Sequence, residues 1–536
     1  MYLIRDIIND YYNNNVPIYS LNSSQSKALD IIIKAYRQHN VGLVQGPPGT
    51  GKTSVIIKAI DKLLGKLSNN EVIIYVAPTN ELVYNALKIT VPLLREYGYA
   101  LNDIKKVIRV FGSDFNYKDY PEIRSPINKD VKVILTTDYQ KFYIEYKEAQ
   151  DRGFSFTFLV DEASKSPIYK FLTPIALELL KADKGISSLS VDSLSVVGDP
   201  MQAIAAKDIY KTHKDLLLMI SLLAGIISHY DQSLAEQIRN SRGNIYSILN
   251  NYTNIIDKLN EFIMLDETYR LPAPSHEIIS KSFYLGKLSA SSNIKDRLTY
   301  SQLKDLEKDC VISDKIGKEI LDAVKNEKGI IYIDVKGLAY RDFKGENVDK
   351  KRAIASVKAA IAASIVSGKS TTIIPLYRDM ASYIEFLIRI CEKFASCIHK
   401  LNERKIEISV STAHALLGAE NENIVVVLGK EYPGLDANSL YLTTMYFNEP
   451  EIFNVQFSRH RNLLIVIGNM ERLYRETNKL IRKLYNTKGV VGKLLYENSI
   501  ILKKASKEFL ELCSIEIKGN KTTLRNSEYC KTIKID

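Results

Sequence analysis

Eight consecutive residues, Gly46-Pro-Pro-Gly-Thr-Gly-Lys-Thr53, fit the pattern G-x-x-x-x-G-K-[ST]. Glycines at this spacing let successive backbone N–H groups turn inward around phosphate oxygens, and a helix beginning directly behind them adds its dipole. Gly46, Gly49, Thr50 and Gly51 would form the cradle, Lys52 would reach the β- and γ-phosphates, and the Thr53 hydroxyl would hold Mg²⁺. The chemistry implied is binding of a nucleoside triphosphate. A second constellation, Val160-Asp-Glu-Ala-Ser164, offers paired carboxylates. Asp161 would bind Mg²⁺ through water, and Glu162 would orient and deprotonate an attacking water. The bland alternatives are an incidental glycine-rich turn and an acidic pair that merely caps a helix. An apolar strand pattern ahead of both segments argues for the catalytic reading.

Those strands belong to a wider alternation. Val41–Gln45, Val72–Val76, Val131–Leu135, Phe156–Val160 and Leu194–Val197 are short β-branched runs separated by helical patterns. A second set follows at Ile330–Asp334, Thr372–Ile374, Ile406–Val410, Ile424–Leu428 and Leu463–Ile467. Two groups of five strands with intervening helices predict two doubly wound α/β domains with parallel sheets. The expected divisions are residues 1–204, a helical insertion at 205–262, a second domain at 263–470 and a basic extension at 471–536. That extension holds 15 Lys/Arg against 8 Asp/Glu, a net of +7 out of +11 for the whole chain. It reads either as a solvated amphipathic helix packed on the second domain or as an edge that faces nucleic acid.

Taken in order, the motifs resemble those of a superfamily 1 helicase, and most closely its up-frameshift branch. Leu21-Asn-Ser-Ser-Gln-Ser-Lys-Ala28 is similar to the L-N-x-x-Q-x-x-A element, which makes Gln25 the reader of adenine. Ala77-Pro-Thr-Asn80 resembles the element that binds strand phosphates, implicating Pro78, Thr79 and Asn80, and Thr137 of the Thr136-Thr137 pair joins them. Gly198-Asp-Pro-Met-Gln202 resembles G-D-x-x-Q, with Gln202 sensing the γ-phosphate. Tyr269-Arg-Leu-Pro272 followed by Phe283-Tyr-Leu-Gly-Lys-Leu288 is similar to the branch's Q-Y-R-x-x-P…F-Y-x-G-x-L. By that likeness Tyr269 stacks on the base and Arg270 contacts the γ-phosphate. Pro375-Leu-Tyr-Arg378 resembles the T-P-Y element, which puts Tyr377 on the strand. Ser411 to Glu420 resembles T-V-D-A-F-Q-G-R-E, which implies strand contacts from Thr412 and His414, and nucleotide contacts from Gly418 and Glu420. Asn454-Val-Gln-Phe-Ser-Arg-His-Arg461 resembles N-V-A-L-T-R-A-R, making Arg459 a second arginine finger.

The resemblance covers about Leu21 to Asn469 and implies two RecA-like domains, hydrolysis of ATP with Mg²⁺, and 5′→3′ movement on single-stranded DNA or RNA. Departures are Leu417 for the usual glutamine, Ala419 for arginine and Met380 for glutamine. His414 could equally be a core histidine. Three readings stand: a helicase or translocase, an ATP-gated clamp or ribonucleoprotein remodeller that does not unwind, and a protein-remodelling ATPase.

Composition bounds these readings. The 536 residues are 46% hydrophobic and 25% charged, ordinary for globular protein, and too many for one domain. Lys+Arg 73 against Asp+Glu 62 favours a polyanionic partner. With no Trp, base stacking falls to Tyr or Phe. Five cysteines without a C-x-x-C pair, and seven histidines, argue against zinc, an iron–sulfur cluster or a disulfide scaffold. The longest apolar run, Leu216 to Ile227, is broken by Ser221 and short of the ~20 residues a bilayer needs. A monomer in the cytoplasm, or associated with the nucleoid, without membrane contact, is the expectation.

Overall fold

Strands whose side chains are apolar on both faces can only be buried by helices on both sides, and this chain builds two such sheets. In a computed structural model the described residues are 2–3, 20–112, 115–116, 121–137, 153–165, 191–202, 218–240, 259–292, 300, 303–311, 314–335, 348–416, 421–429, 444–487, 489–518 and 521–535. They fall into two units, Met1–Asp266 and Glu267–Asp536.

In the first unit, helix α1 (Ser23–Gln38) leads into β1 (Val41–Gln45) and α2 (Lys52–Leu64). Then follow β2 (Glu71–Ala77), α3 (Asn80–Glu96), β3 (Ile108–Phe111), β4 (Val133–Thr137), β5 (Ser155–Val160) and β6 (Val191–Gly198). Helices α4 (Leu218–Ser228) and α5 (Gln232–Asn240) precede β7 (Phe262–Met264). The seven strands pair in the order β3-β4-β2-β5-β6-β1-β7, every pair parallel. Their core joins Val44, Ile73, Leu135, Leu159 and Val197 to Val55, Ile56, Ala59 and Leu63 of α2. The sequence pattern misses β3 and β7 and sets β4 two residues early. Of the expected helical insertion, α4 and α5 are described, while 203–217 and 241–258 lie outside the described residues.

The second unit begins with β8 (Glu267–Thr268), α6 (Glu277–Phe283) and β9 (Ser289–Ala290). Its sheet uses β10 (Ile330–Val335), β11 (Thr371–Pro375), β12 (Ile408–Val410), β13 (Asn421–Val427), β14 (His460–Gly468) and β15 (Cys530–Ile535). The order is β12-β11-β13-β14-β10-β15, again wholly parallel. The alanine-rich helix Lys350–Ser367 is almost entirely buried against it, because small side chains let helix and sheet approach closely. The described residues from 470 onward form the helices Met470–Leu484 and Val490–Leu512, a hairpin of Ile515–Lys518 with Lys521–Leu524, and the sheet strand β15.

Two disulfides, Cys310–Cys397 and Cys513–Cys530, are present, where the sequence argues against a disulfide scaffold. Their partners stand 87 and 17 residues apart, spacings that carry no local signature. No helix among the described residues is long and apolar enough to cross a membrane.

Candidate nucleotide and strand sites

Parallel strands deliver their C-terminal ends to one edge of a sheet, and the first unit's motifs, apart from Leu21–Ala28 at the start of α1, lie at or just past such ends. The register aligns Gln45 with Gly198, Val160 with both Val76 and Val196, and Ala77 with Thr137. The P-loop after β1, Asp161-Glu162 after β5, Gly198–Gln202 at the end of β6, Ala77–Asn80 after β2 and Thr136-Thr137 of β4 therefore share that edge.

Within the P-loop, Gly49 and Gly51 hold φ of 71° and 77°, the left-handed region open to glycine. Thr50 is buried and its hydroxyl donates to the Pro47 carbonyl (2.8 Å), closing the turn, while Gly46 N–H donates to Gly198 O (2.8 Å). Lys52, the first residue of α2, folds over Gly46: its ammonium donates to Gly46 O at 3.0 Å and lies 3.3 Å from Glu162 Oε1. Thr53 is exposed in the first helical turn.

Gln25, 4% exposed, is committed at both ends of its amide. Its Oε1 accepts from Asn22 N (3.0 Å) within a capping box at the start of α1, and its Nε2 donates to Thr50 O (2.9 Å). Here the residue that the resemblance makes an adenine reader ties α1 to the P-loop.

Asp161 is buried and fully engaged: Tyr75 of β2 donates its hydroxyl to Oδ2 (2.9 Å), and Glu162 N–H donates to Oδ1 (2.8 Å). Burial, then the charge of Glu162, push its pKa up to about 6, against the opposing pull of Tyr75 and Lys52. Glu162 sits at φ 46°, an outlier for a side-chain-bearing residue that costs of order 1 kcal/mol and turns its carboxylate toward Lys52. Gln202 Nε2 donates to Asp199 Oδ2 (2.6 Å), and Gln45 Nε2 reaches Asp199 Oδ1 (3.3 Å). Tyr75 and Gln45 escape sequence reading because both stand inside strands as apparent core positions.

Of the strand-contact candidates, Pro78, Thr79, Asn80 and Thr137 are half-buried at the sheet edge. Thr79 caps α3, accepting from Leu82 N (3.4 Å), and Asn80 packs so close to Gly112 that a β-carbon there would meet its Oδ1 at 2.3 Å.

In the second unit, Tyr269 donates to Glu267 Oε2 (3.2 Å), and Arg270 Nη1 donates to the carbonyl of Ser458 (3.4 Å). Arg459 is 3% exposed, and beside it His460 Nε2 lies 2.7 Å from Ser275 Oγ. The two arginines are thus brought to one place within this unit. Tyr377 precedes the helix Arg378–Ile390 as its N-cap residue. Thr412 and His414 are half-buried, and His414 Nε2 stands 3.6 Å from Glu449 Oε2. Gly418 and Glu420, with Leu417 and Ala419, lie outside the described residues.

Residues 18–183 match the family described as type III restriction enzyme, res subunit, and residues 247–471 match an AAA domain family. The chain is 24% identical over 501 residues to the DNA polymerase alpha-associated DNA helicase A of Saccharomyces cerevisiae, covering 86% of this chain and 67% of that protein. It is 29% identical over 185 residues to the replicase polyprotein 1ab of Berne virus, 34% of this chain and 2% of the polyprotein. Among solved structures, the DUF1998 helicase MrfA bound to DNA and AMPPNP aligns with 98% of this chain and 67% of its own, at 10% identity and a TM-score of 0.38.

Proposed function

Because the chain belongs to the superfamily 1 helicases, as an ATP-dependent nucleic-acid helicase, we propose that Lys52, Asp161 and Glu162 perform its hydrolysis and that its track is a single strand. The observation that carries this reading is the 3.3 Å contact between Lys52 Nζ and Glu162 Oε1 at the sheet edge. A triphosphate entering the loop offers the ammonium stronger acceptors than the Gly46 carbonyl, and drawing Lys52 onto the phosphates leaves Glu162 to accept a proton from water. Asp161 and the Thr53 hydroxyl supply hard oxygen donors, the chemistry that suits Mg²⁺, and it is burial, then the charge of Glu162, that raises the proton affinity of Asp161. When bound there, Mg²⁺ would neutralise phosphate charge. Gln202 is the candidate γ-phosphate sensor, supported by the buried Asp199 that orients its amide. Arg270 and Arg459 are proposed to meet the charge that develops on the γ-phosphoryl group.

Strand contact is proposed for Pro78, Thr79, Asn80, Thr137, Tyr377, Thr412 and His414, on a chain of net charge +11. Gly418 and Glu420 are proposed on the nucleotide by likeness alone. Action as a monomer and movement 5′→3′ complete the reading, so a duplex with a 5′ tail should be unwound and a 3′-tailed one spared. Strand displacement and ATPase rate, each measured with DNA and RNA oligonucleotides, test the assignment. Stimulated hydrolysis without displacement would favour the ATP-gated clamp, and unstimulated hydrolysis would remove both.

A further inference from the structure

We propose that Ser275 and His460 form a positioning pair that holds Arg270 and Arg459 on a common mount. The inference rests on the finger roles given above to these arginines and extends them to two residues that carry no such role. The loop from Tyr269 to Ser275 grips both chain neighbours of Arg459. Upstream, the Arg270 guanidinium donates to the Ser458 carbonyl; downstream, Ser275 meets the ring of His460 at 2.7 Å. Ser275 and His460 are 3% and 0% exposed, so the contact is sheltered from competing water.

The proton count fixes its direction. The single hydroxyl proton of Ser275 goes to the Pro272 carbonyl (2.8 Å), so Ser275 Oγ accepts and His460 Nε2–H donates. The ring is therefore the Nε2–H tautomer, and its Nδ1 has no hydrogen-bond partner among the described residues. Burial, then the neighbouring Arg270, push the His460 pKa down to about 3, so the ring stays neutral and the donor constant near neutral pH. His460 is also the first residue of β14, where it pairs with Asn421, which anchors the mount to the sheet. A guanidinium acts on a developing charge only if its fork is aimed, and small misplacements are costly.

Steady-state ATPase assays on the full chain, saturated with single-stranded oligonucleotide, test this. Ser275→Ala removes one hydroxyl and should lower kcat by about 10-fold or more while KM for ATP moves less than about threefold. His460→Ala should match it, and His460→Gln, which keeps an N–H near Nε2, should recover most of the loss. A Ser275→Ala variant that melts at the wild-type temperature yet turns over within twofold of wild type would overturn the proposal. So would a His460→Gln variant no better than His460→Ala. Arg459→Ala run alongside separates the failures: if it keeps turnover, the finger role itself falls, and if it alone is inactive, only the positioning pair does.

Discussion

Lys52 Nζ lies 3.3 Å from Glu162 Oε1, joining the first residue of α2 to the residue just past β5. The two groups hold each other, and the roles proposed for them in hydrolysis should separate under substitution. Lys52→Ala removes the charge proposed to face the phosphates and should lose both nucleotide affinity and turnover. Glu162→Gln keeps shape and donors nearby and should hold affinity within about threefold while losing about 10²-fold or more in turnover. Fluorescent-nucleotide titration and phosphate release measure the two. Wild-type turnover in Glu162→Gln would sink the assignment.

Strand affinity should be dominated by phosphate charge, with log Kd linear in log salt concentration and little preference for sequence. Thr79, just past β2, and Thr137, at the end of β4, are proposed to contribute neutral hydroxyls. Thr79→Ala and Thr137→Ala should therefore weaken binding at every salt concentration without changing the slope, unlike loss of a lysine or arginine. Anisotropy titrations at four salt concentrations decide; a changed slope contradicts the neutral role.

Phosphate chemistry restricts residue type at nearly every position, so the P-loop and Asp161-Glu162 stand out as candidates from sequence alone, and their place after strands is legible with them. Ten strands are legible because the runs stay β-branched, and all but the edge strand β12, which is partly exposed, are largely buried on both faces. Strand β3 is hidden by Arg109, which is 1% exposed and spends its guanidinium on the carbonyls of Lys105, Lys106 and Ser125. Strand β15 reads Cys-Lys-Thr-Ile-Lys-Ile, lysine-bearing as an edge strand should be, and so passes for part of a basic tail. Pairings such as Ser275 with His460, 185 residues apart, leave no periodic trace. Gln25 shows the opposite case: its position is legible, and its hydrogen bonds to Asn22 and Thr50 are not.

The Cys513–Cys530 bridge fastens the residue after the helix Val490–Leu512 to the first residue of the edge strand β15. Closing a 17-residue separation limits the unfolded chain by about 3 kcal/mol. Cys513→Ala should lower the melting temperature by about 5 °C or more. A reducing agent should lower that of the wild type and leave any remaining shift in the variant to Cys310–Cys397. Identical melting of oxidised and reduced wild type would show that neither bridge contributes.

His460, buried and held neutral with a pKa near 3, binds a proton in the unfolded chain at about 6.5 but not in the folded one. Between those values the unfolded state carries more protons, so stability falls as pH falls below 6.5, by about 2 kcal/mol at pH 5 from this residue. Above pH 6.5 the group adds no slope. His460→Gln, which cannot titrate, should flatten the profile between pH 7 and 5 by that amount in urea unfolding monitored by circular dichroism. An unchanged profile would mean that the ring can charge in place.

Arg459 tests the chemistry most directly. It is 3% exposed, between a serine whose carbonyl receives Arg270 and a histidine held by Ser275. An arginine this buried is costly unless its charge is used, either structurally in an ion pair or on a ligand that arrives with negative charge. The two cases differ in what Arg459→Ala does. If the guanidinium meets charge that grows on the γ-phosphoryl group, kcat should drop by about 10³-fold, within the range of arginine fingers, while ATP affinity changes far less, because the interaction strengthens only as the bond breaks. Arg459→Lys should recover little, since a point charge lacks the planar fork. Arg270→Ala should behave alike but also weaken ATP binding, because Tyr269 beside it is the candidate base-stacking residue. If Arg459 is instead a structural cation, its removal should lower the melting temperature and leave turnover per folded molecule within twofold of wild type. Turnover and melting temperature measured on the same preparation, with nucleic acid saturating, separate the outcomes, and the second would remove Arg459 from the mechanism.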